Sequence, residues 1–219
     1  MERSNILILS KKYFISTLLT LVLRFPFNFI CALFLGVYGF GLIKILDIIR
    51  GYAKFTDLGV KGVIAREIPK YKVLGQDSEV KRIKIVCKSI MFSTIIIYIS
   101  ILLFLRIFTH TFDGLLSLQA LIIFCFFLLF TRIHSYLHTV AKGESKFSAI
   151  GNNSIFTSFF TPVIMIPLIY FFDFQGYIIG FTMATLMGLF YYYHSLSDIN
   201  LHTFEFSFEK IGDPLKLGV

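Results

Sequence analysis

The chain has 219 residues, 56% of them hydrophobic and 27 of them Phe, with a mean hydropathy of +0.78. Only 16% are charged, against roughly a quarter in a soluble domain, so too little polar surface exists to cover a globule. A bilayer removes that difficulty, because lipid dissolves apolar side chains and a spanning helix satisfies its own backbone. The formal net charge of +8 would suit nucleic acid, but its placement along the chain points to a membrane rim instead.

A helix needs about 20 apolar residues to cross the hydrocarbon core, and the chain offers about six such runs. The first, 13–36, follows Arg3, Lys11 and Lys12. It is longer than a signal-peptide core and has no small-residue cleavage site after it, so it reads as a retained helix. Gly36-Val37-Tyr38-Gly39 turns the chain into the second run, 40–60, the least hydrophobic of the set. A basic segment follows, with Arg66, Lys70, Lys72, Lys81, Arg82, Lys84 and Lys88, before the third run at 85–108. Asp113-Gly114 separates it from the fourth, 115–136, and Gly143 lies between the fourth and the fifth, 150–172. Asp173 to Gly176 leads into the sixth, 177–196. The whole is an all-α, polytopic bundle of about six transmembrane helices over 1–196, with 197–219 as a cytoplasmic linker.

The basic residues orient it. With the N-terminus inside, Arg3, Lys11, Lys12, the segment after the second run, Arg132, Lys142, Lys146, Lys210 and Lys216 all fall at the cytoplasmic face, and Arg106 alone lies near the outer one. This is a positive-inside pattern, with both termini cytoplasmic in a bacterial inner (plasma) membrane. A solvated basic rim also accounts for the net charge without nucleic acid.

Charges inside the runs carry more information. Lys44, Asp47, Arg50, Lys54, Asp57 and Lys61 fall within about 140° of the circumference of one helix at 100° per residue. Leu42, Ile45, Ile49 and Phe55 occupy the other side. Arg24 in the first run and Arg50 in the second each lie about 16 Å from the membrane face at which their run starts, at 1.5 Å per residue. A basic side chain at that depth costs about 2.5–3.5 kcal/mol if it faces lipid. Ion pairs at i,i+3 and i,i+4, such as Lys44 with Asp47 or Lys54 with Asp57, would relieve part of the cost. Four cations against two anions on the stripe, plus Arg24, leave a positive excess. That excess implies a hydrated cationic cavity for a negatively charged group, with Asp47 and Asp57 balancing charge or holding a coupling cation. Pro26 weakens the helix beside Arg24.

Enzyme signatures are missing. The chain has no P-loop, no dinucleotide fingerprint and no H-E-x-x-H zinc motif. His134 and His138 share a helical face, but no third ligand stands near them in sequence, and an interfacial polar face is the simpler reading. Cys31, Cys87 and Cys125 have no short spacing between them and read as apolar packing. Asn152-Asn153-Ser154 matches a glycosylation acceptor but falls near the inner face. No enzyme activity, metal or cofactor is expected.

Val37-Tyr38-Gly39, then Phe55-Thr56-Asp57-Leu58-Gly59-Val60, then Ala65-Arg66-Glu67-Ile68-Pro69 resemble the second helix and following loop of polysaccharide flippases. These are the O-antigen (Wzx-type) exporters of the multidrug/oligosaccharidyl-lipid/polysaccharide superfamily. Ala141-Lys142-Gly143-Glu144-Ser145-Lys146-Phe147 is similar to the turn between that family's fourth and fifth helices. The resemblance implies one six-helix lobe of a two-lobe, MATE-like transporter. Its activity would be to flip a lipid-pyrophosphate-linked oligosaccharide to the outer leaflet by alternating access, for lipopolysaccharide and other surface polysaccharide synthesis. Ile211 to Val219 resembles the start of the family's seventh helix, so the chain is expected to be an N-terminal lobe. Its partners would then be membrane lipids, the lipid-linked substrate, and a missing C-terminal lobe or a second copy. On this reading Arg24, Arg50 and Lys54 contact the pyrophosphate, Lys44 lies near the outer exit and Lys61 near the inner entrance. A drug or cation antiporter of the same superfamily, and a half-size membrane protein without transport of its own, are the alternatives.

Overall fold

The computed structural model describes residues 2–109 and 117–196, without the side chains of residues 2–13, 16, 19 and 23–25. Among the described residues the architecture is all-helical. Helix α1 spans Glu2–Ala53 and runs into a 3-10 turn at Lys54–Asp57; α2 spans Val60–Val73, α3 Asp77–Thr109, α4 Leu118–Gly143 and α5 Phe147–Ser195. Four of these described helices, α1, α3, α4 and α5, are long and apolar enough to cross a membrane. Their outward sides carry large apolar groups, among them Phe29, Val37, Ile97, Phe171 and Phe190. An apolar coat of this extent is compatible with a membrane protein.

The two longest helices are interrupted. Gly36 sits at φ 63°, ψ −174° within α1, and Asp173 at φ 49°, ψ −129° within α5. Positive φ is open to glycine and, less readily, to Asp, whose short polar side chain tolerates it. At Asp173 the chain reverses. A Cβ on Gly176 would stand 1.9 Å from the Leu168 carbonyl oxygen, one on Gly180 3.1 Å from Met165 Cα, and one on Gly188 2.8 Å from Thr157 Cγ2. Partner numbers fall as glycine numbers rise, so arms 147–172 and 174–195 pack antiparallel, with glycine at their closest approach.

The arms of α1 follow the arms of α5. Ser158 Oγ donates to Thr20 Oγ1 at 2.9 Å, Phe27 and Cys31 share a buried cluster with Met165 and Ile169, and Phe34 meets Tyr170 edge-on at 6.0 Å. Both numbers rise together, so arm 2–35 runs parallel to 147–172. Leu46, Asp47 and Arg50 line a small pocket with Tyr177, Ile178 and Phe181, and the Arg50 guanidinium stands over the Phe181 ring, which places arm 37–53 beside 174–195. Two antiparallel hairpins therefore lie side by side, one at each end of the chain.

The rest of the chain closes the bundle. Tyr98 of α3 donates to the Ile49 carbonyl at 2.8 Å, and Tyr136 of α4 donates to the Lys84 carbonyl at 3.0 Å. Helix α2 buries Val60, Val63, Ile64 and Ile68 against α3, α4 and Tyr192 of α5, while Arg66 faces out. At the turn after α4, a Cβ on Gly143 would lie 3.1 Å from the Ile64 carbonyl. Lys84 and Lys146 pair with Glu144 at the same end.

Several boundaries differ from the apolar runs. Helix α3 starts at Asp77, eight residues ahead of its run, because Asp77 and Glu79 favour a helix N-terminus. Helix α4 continues to Gly143, where Glu144 and Lys146 donate to the Val140 and Ala141 carbonyls, both at 2.9 Å. The second run ends early: α1 stops at Ala53, and left-handed Leu58 (φ 46°) and Gly59 (φ 74°) set α2 off as a separate helix. Asp113 and residues 197–219 lie outside the described residues.

Candidate ligand cavity

A cavity of about 490 Å³ lies between the two arms of α1, helix α4 and the two arms of α5. Among the described residues its acidic and basic lining residues other than His134 are Lys44, Asp47 and Arg50, all on arm 37–53. Arg50 Nη2 reaches Asp47 Oδ1 at 2.8 Å, and Lys44 Nζ lies 3.9 Å from Asp47 Oδ2. The Arg50 guanidinium also stands over the Phe181 ring at 5.5 Å, and Lys44 over Phe40 at 4.7 Å. Each cation thus has one flank on an aromatic face, where the ring quadrupole attracts it. One carboxylate answers two cations, so this group leaves the cavity with a positive excess.

The lower half of the expected stripe goes elsewhere. Asp57 bonds Lys61 at 2.5 Å and pairs with Arg132 of α4. Arg132 also donates to Thr56 Oγ1 at 2.5 Å, to Thr94 Oγ1 at 3.5 Å and to the Met91 carbonyl at 3.4 Å. Asp57 therefore pairs with Lys61 and with a distant arginine, and not with Lys54. Lys54 is exposed and forms no ion pair among the described residues. The physical reason is the end of α1 at Ala53: a 3-10 turn and two left-handed residues follow, so the 100° rotation that aligned the stripe no longer holds. The side chain of Arg24 lies outside the described residues. Of the residues expected at one site, the structure brings together Lys44, Asp47 and Arg50.

Sequence reading placed Arg132 at a basic rim, whereas its side chain is only 5% exposed. Its own helix was the available signal: α4 has no acid one turn either side of Arg132, so a carboxylate had to come from another element. The second omission is the uncharged polar wall. Thr20, Asn28, Thr157, Ser158, Thr161 and Thr185 line the cavity across from the triad. His134 lines it as well, with Nε2 3.0 Å from Asn153 Nδ2 and its ring 5.1 Å from that of Tyr192. His138 packs against the same tyrosine at 6.5 Å. Among the described residues no group of three His, Cys, Asp or Glu side chains could hold a metal ion. Cys31, Cys87 and Cys125 are buried, free thiols.

Two charged groups outside the long apolar helices are shifted. Burial lowers the Lys61 ammonium below its ordinary value. Burial tends to raise the Glu144 carboxyl, but hydrogen bonds and charge from Lys84 and Lys146 outweigh it and hold Glu144 below the usual range. Comparison with protein-family models, curated proteins and solved structures finds no match for this chain.

Proposed function

We propose that the chain crosses the bacterial inner membrane six times and binds a lipid-pyrophosphate-linked oligosaccharide, which it carries from the inner to the outer leaflet. Each arm of α1 and α5 serves as one crossing, together with α3 and α4. Helix α2, the start of α3 and the α4–α5 turn lie at one end with Arg66, Lys70, Lys81, Lys142 and Lys146. That end is the cytoplasmic one under the positive-inside rule, and the Gly36 and Asp173 reversals then face outward.

The observation that carries the functional reading is the Lys44–Asp47–Arg50 triad, which keeps a positive excess in a cavity between long apolar helices. A charged group held at that depth has to be compensated, and Asp47 compensates only one of two cations. A pyrophosphate fits the remainder, because guanidinium forks onto phosphate oxygens and ammonium adds a point charge. The polyprenyl tail would stay in lipid while the head group crosses through the cavity. The reading involves no covalent step. It leaves room for a second lobe, either a further polypeptide or a second copy, to close the far side of the cavity.

Reconstitution tests it. The chain is placed in liposomes with a fluorescent prenyl-pyrophosphate-linked disaccharide, and dithionite quenching reports the fraction reaching the outer leaflet. Faster flipping than in empty liposomes, slowed by Arg50→Ala, is the expected result. Transport of a cationic dye with no effect on the glycolipid would overturn it in favour of an antiporter. Flipping at the empty-liposome rate would leave the half-size reading in its place.

A further inference from the structure

The cavity is divided by hydrogen-bonding character as well as by charge. Lys44 and Arg50 can only donate. Four hydroxyls of the uncharged wall are the reverse, because their protons are already committed, whereas Asn28 and Thr131 in the same lining can still donate. Thr157 donates to the Asn153 carbonyl at 2.8 Å, Thr161 to the Thr157 carbonyl at 2.6 Å, and Thr185 to the Phe181 carbonyl at 2.9 Å. Ser158 gives its proton to Thr20 Oγ1 at 2.9 Å. A hydroxyl that has spent its one proton still has acceptor lone pairs. Back-bonding to the preceding turn is common for helical Ser and Thr; here it falls on residues that line one cavity, on facing arms of one hairpin.

A pyrophosphate presents acceptors and no donor at neutral pH, so it gains nothing from these four hydroxyls. An uncharged saccharide carries an O–H on most of its carbons, and an N–H where it is N-acetylated. We propose that Thr157, Thr161 and Thr185 form a saccharide subsite that accepts hydrogen bonds from the ligand's hydroxyl and amide groups. The ligand then lies with its anionic end on the α1 arm that carries Lys44 and Arg50, and its sugars on α5. This assignment rests on the functional reading above and adds an orientation to it. Thr157 and Thr161 are one turn apart, about 6 Å along the helix axis. They form a row for successive hydroxyls and not a single coordination shell.

The test uses the full chain in lipid nanodiscs and three probes: geranylgeranyl pyrophosphate, the same lipid carrying chitobiose on its pyrophosphate, and geranylgeranyl chitobioside without pyrophosphate. Thr157→Val, Thr161→Val and Thr185→Val keep the branched shape and remove the acceptor; the corresponding Ser variants restore it. The combined valine variant should bind the glycosylated pyrophosphate about tenfold more weakly, the loss expected when net hydrogen bonds disappear. Binding of the bare pyrophosphate should be unchanged, and the serine variant should recover the lost affinity. Equal loss on both pyrophosphate probes, or loss on neither, overturns the subsite. A valine effect that requires sodium and persists without sugar also overturns it, in favour of an ion site. If only the pyrophosphate-free glycolipid binds, and valine abolishes that, the subsite stands and the anionic-ligand reading falls. If Arg50→Ala weakens the bare pyrophosphate while chitobiose adds no affinity, the reading stands and the subsite falls. Binding of none of the three overturns both.

Discussion

Two ion groups, Lys44–Asp47–Arg50 within one helix and Asp57–Lys61 with Arg132 of α4, start from one-turn pairs on neighbouring stretches of chain and have opposite surroundings in the fold. In the first, every partner lies on one helix and the side chains are 23–55% exposed. In the second, Asp57 is 14% and Arg132 5% exposed, and the partners come from the 3-10 turn, α2 and α4. Exposed pairs along one helix contribute little to stability, whereas breaking a buried pair strands a charge. The upper group is free to serve a ligand because the fold does not depend on it. The lower one ties the end of the first hairpin to the body of the bundle.

The largest effect expected from this contrast is on stability. Arg132→Ala should destabilise the protein by about 3–5 kcal/mol, because Asp57 would remain buried without its arginine. Arg50→Ala should cost less, about 1 kcal/mol, because its pair with Asp47 lies along one helix and is only partly buried. Unfolding of the purified protein in mixed micelles measures both; equal losses would erase the distinction between the groups.

Ligand affinity should show the opposite ranking. Arg50→Ala should weaken binding of a prenyl-pyrophosphate glycolipid by about tenfold to a hundredfold, as for loss of a charged hydrogen bond. Arg50→Lys should weaken it less, since the charge remains but the fork is lost. Arg24→Ala should act like Arg50→Ala if its guanidinium reaches the same head group. Wild-type affinity in both alanine variants would remove the triad from the binding site.

Water access sharpens the comparison further. Single cysteines at positions 44, 47 and 50 should react with a water-soluble maleimide, and one at 57 should not, because thiolates form where water reaches. The buried native cysteines give little background. Protection of all four positions would mean that the upper group is packed as tightly as the lower.

The smallest effect belongs to a third ion group, Glu144 with Lys84 and Lys146 at the α2 end. Glu144 titrates below its ordinary value of 4.5. A carboxyl with a depressed folded value contributes stability that is present above the unfolded value and is lost as pH falls through the folded one. Melting temperature should therefore decline as pH drops below 4.5, and Glu144→Gln should flatten that part of the curve. An unchanged acid slope in the variant would show that other carboxylates carry it.

Much of the backbone was legible in the residues. The reversals at Gly36 and Asp173 and the turn at Gly143 fall where small and polar residues interrupt apolar runs. The triad was legible too, since Lys44, Asp47 and Arg50 share one regular helix whose rotation is known. Arg132 was not, because its partner Asp57 is far away in sequence, and neither was the hydroxyl wall, whose members stand on different arms. The lower half of the stripe was misplaced for a local reason: two consecutive left-handed residues, Leu58 and Gly59, end the helix on whose regularity the projection depended.

By itself the sequence determined that the chain is helical, apolar on its outside and broken at a few stated residues. Those properties follow from the abundance of apolar side chains and from backbone hydrogen bonds that close within about four residues. The tertiary structure alone decided which charges meet a cavity and which are consumed in a buried pair. It also decided that hydroxyls with spent protons on α5 share the cavity with those charges. Those outcomes depend on the relative rotation and register of separate helices, which no periodicity within one helix contains.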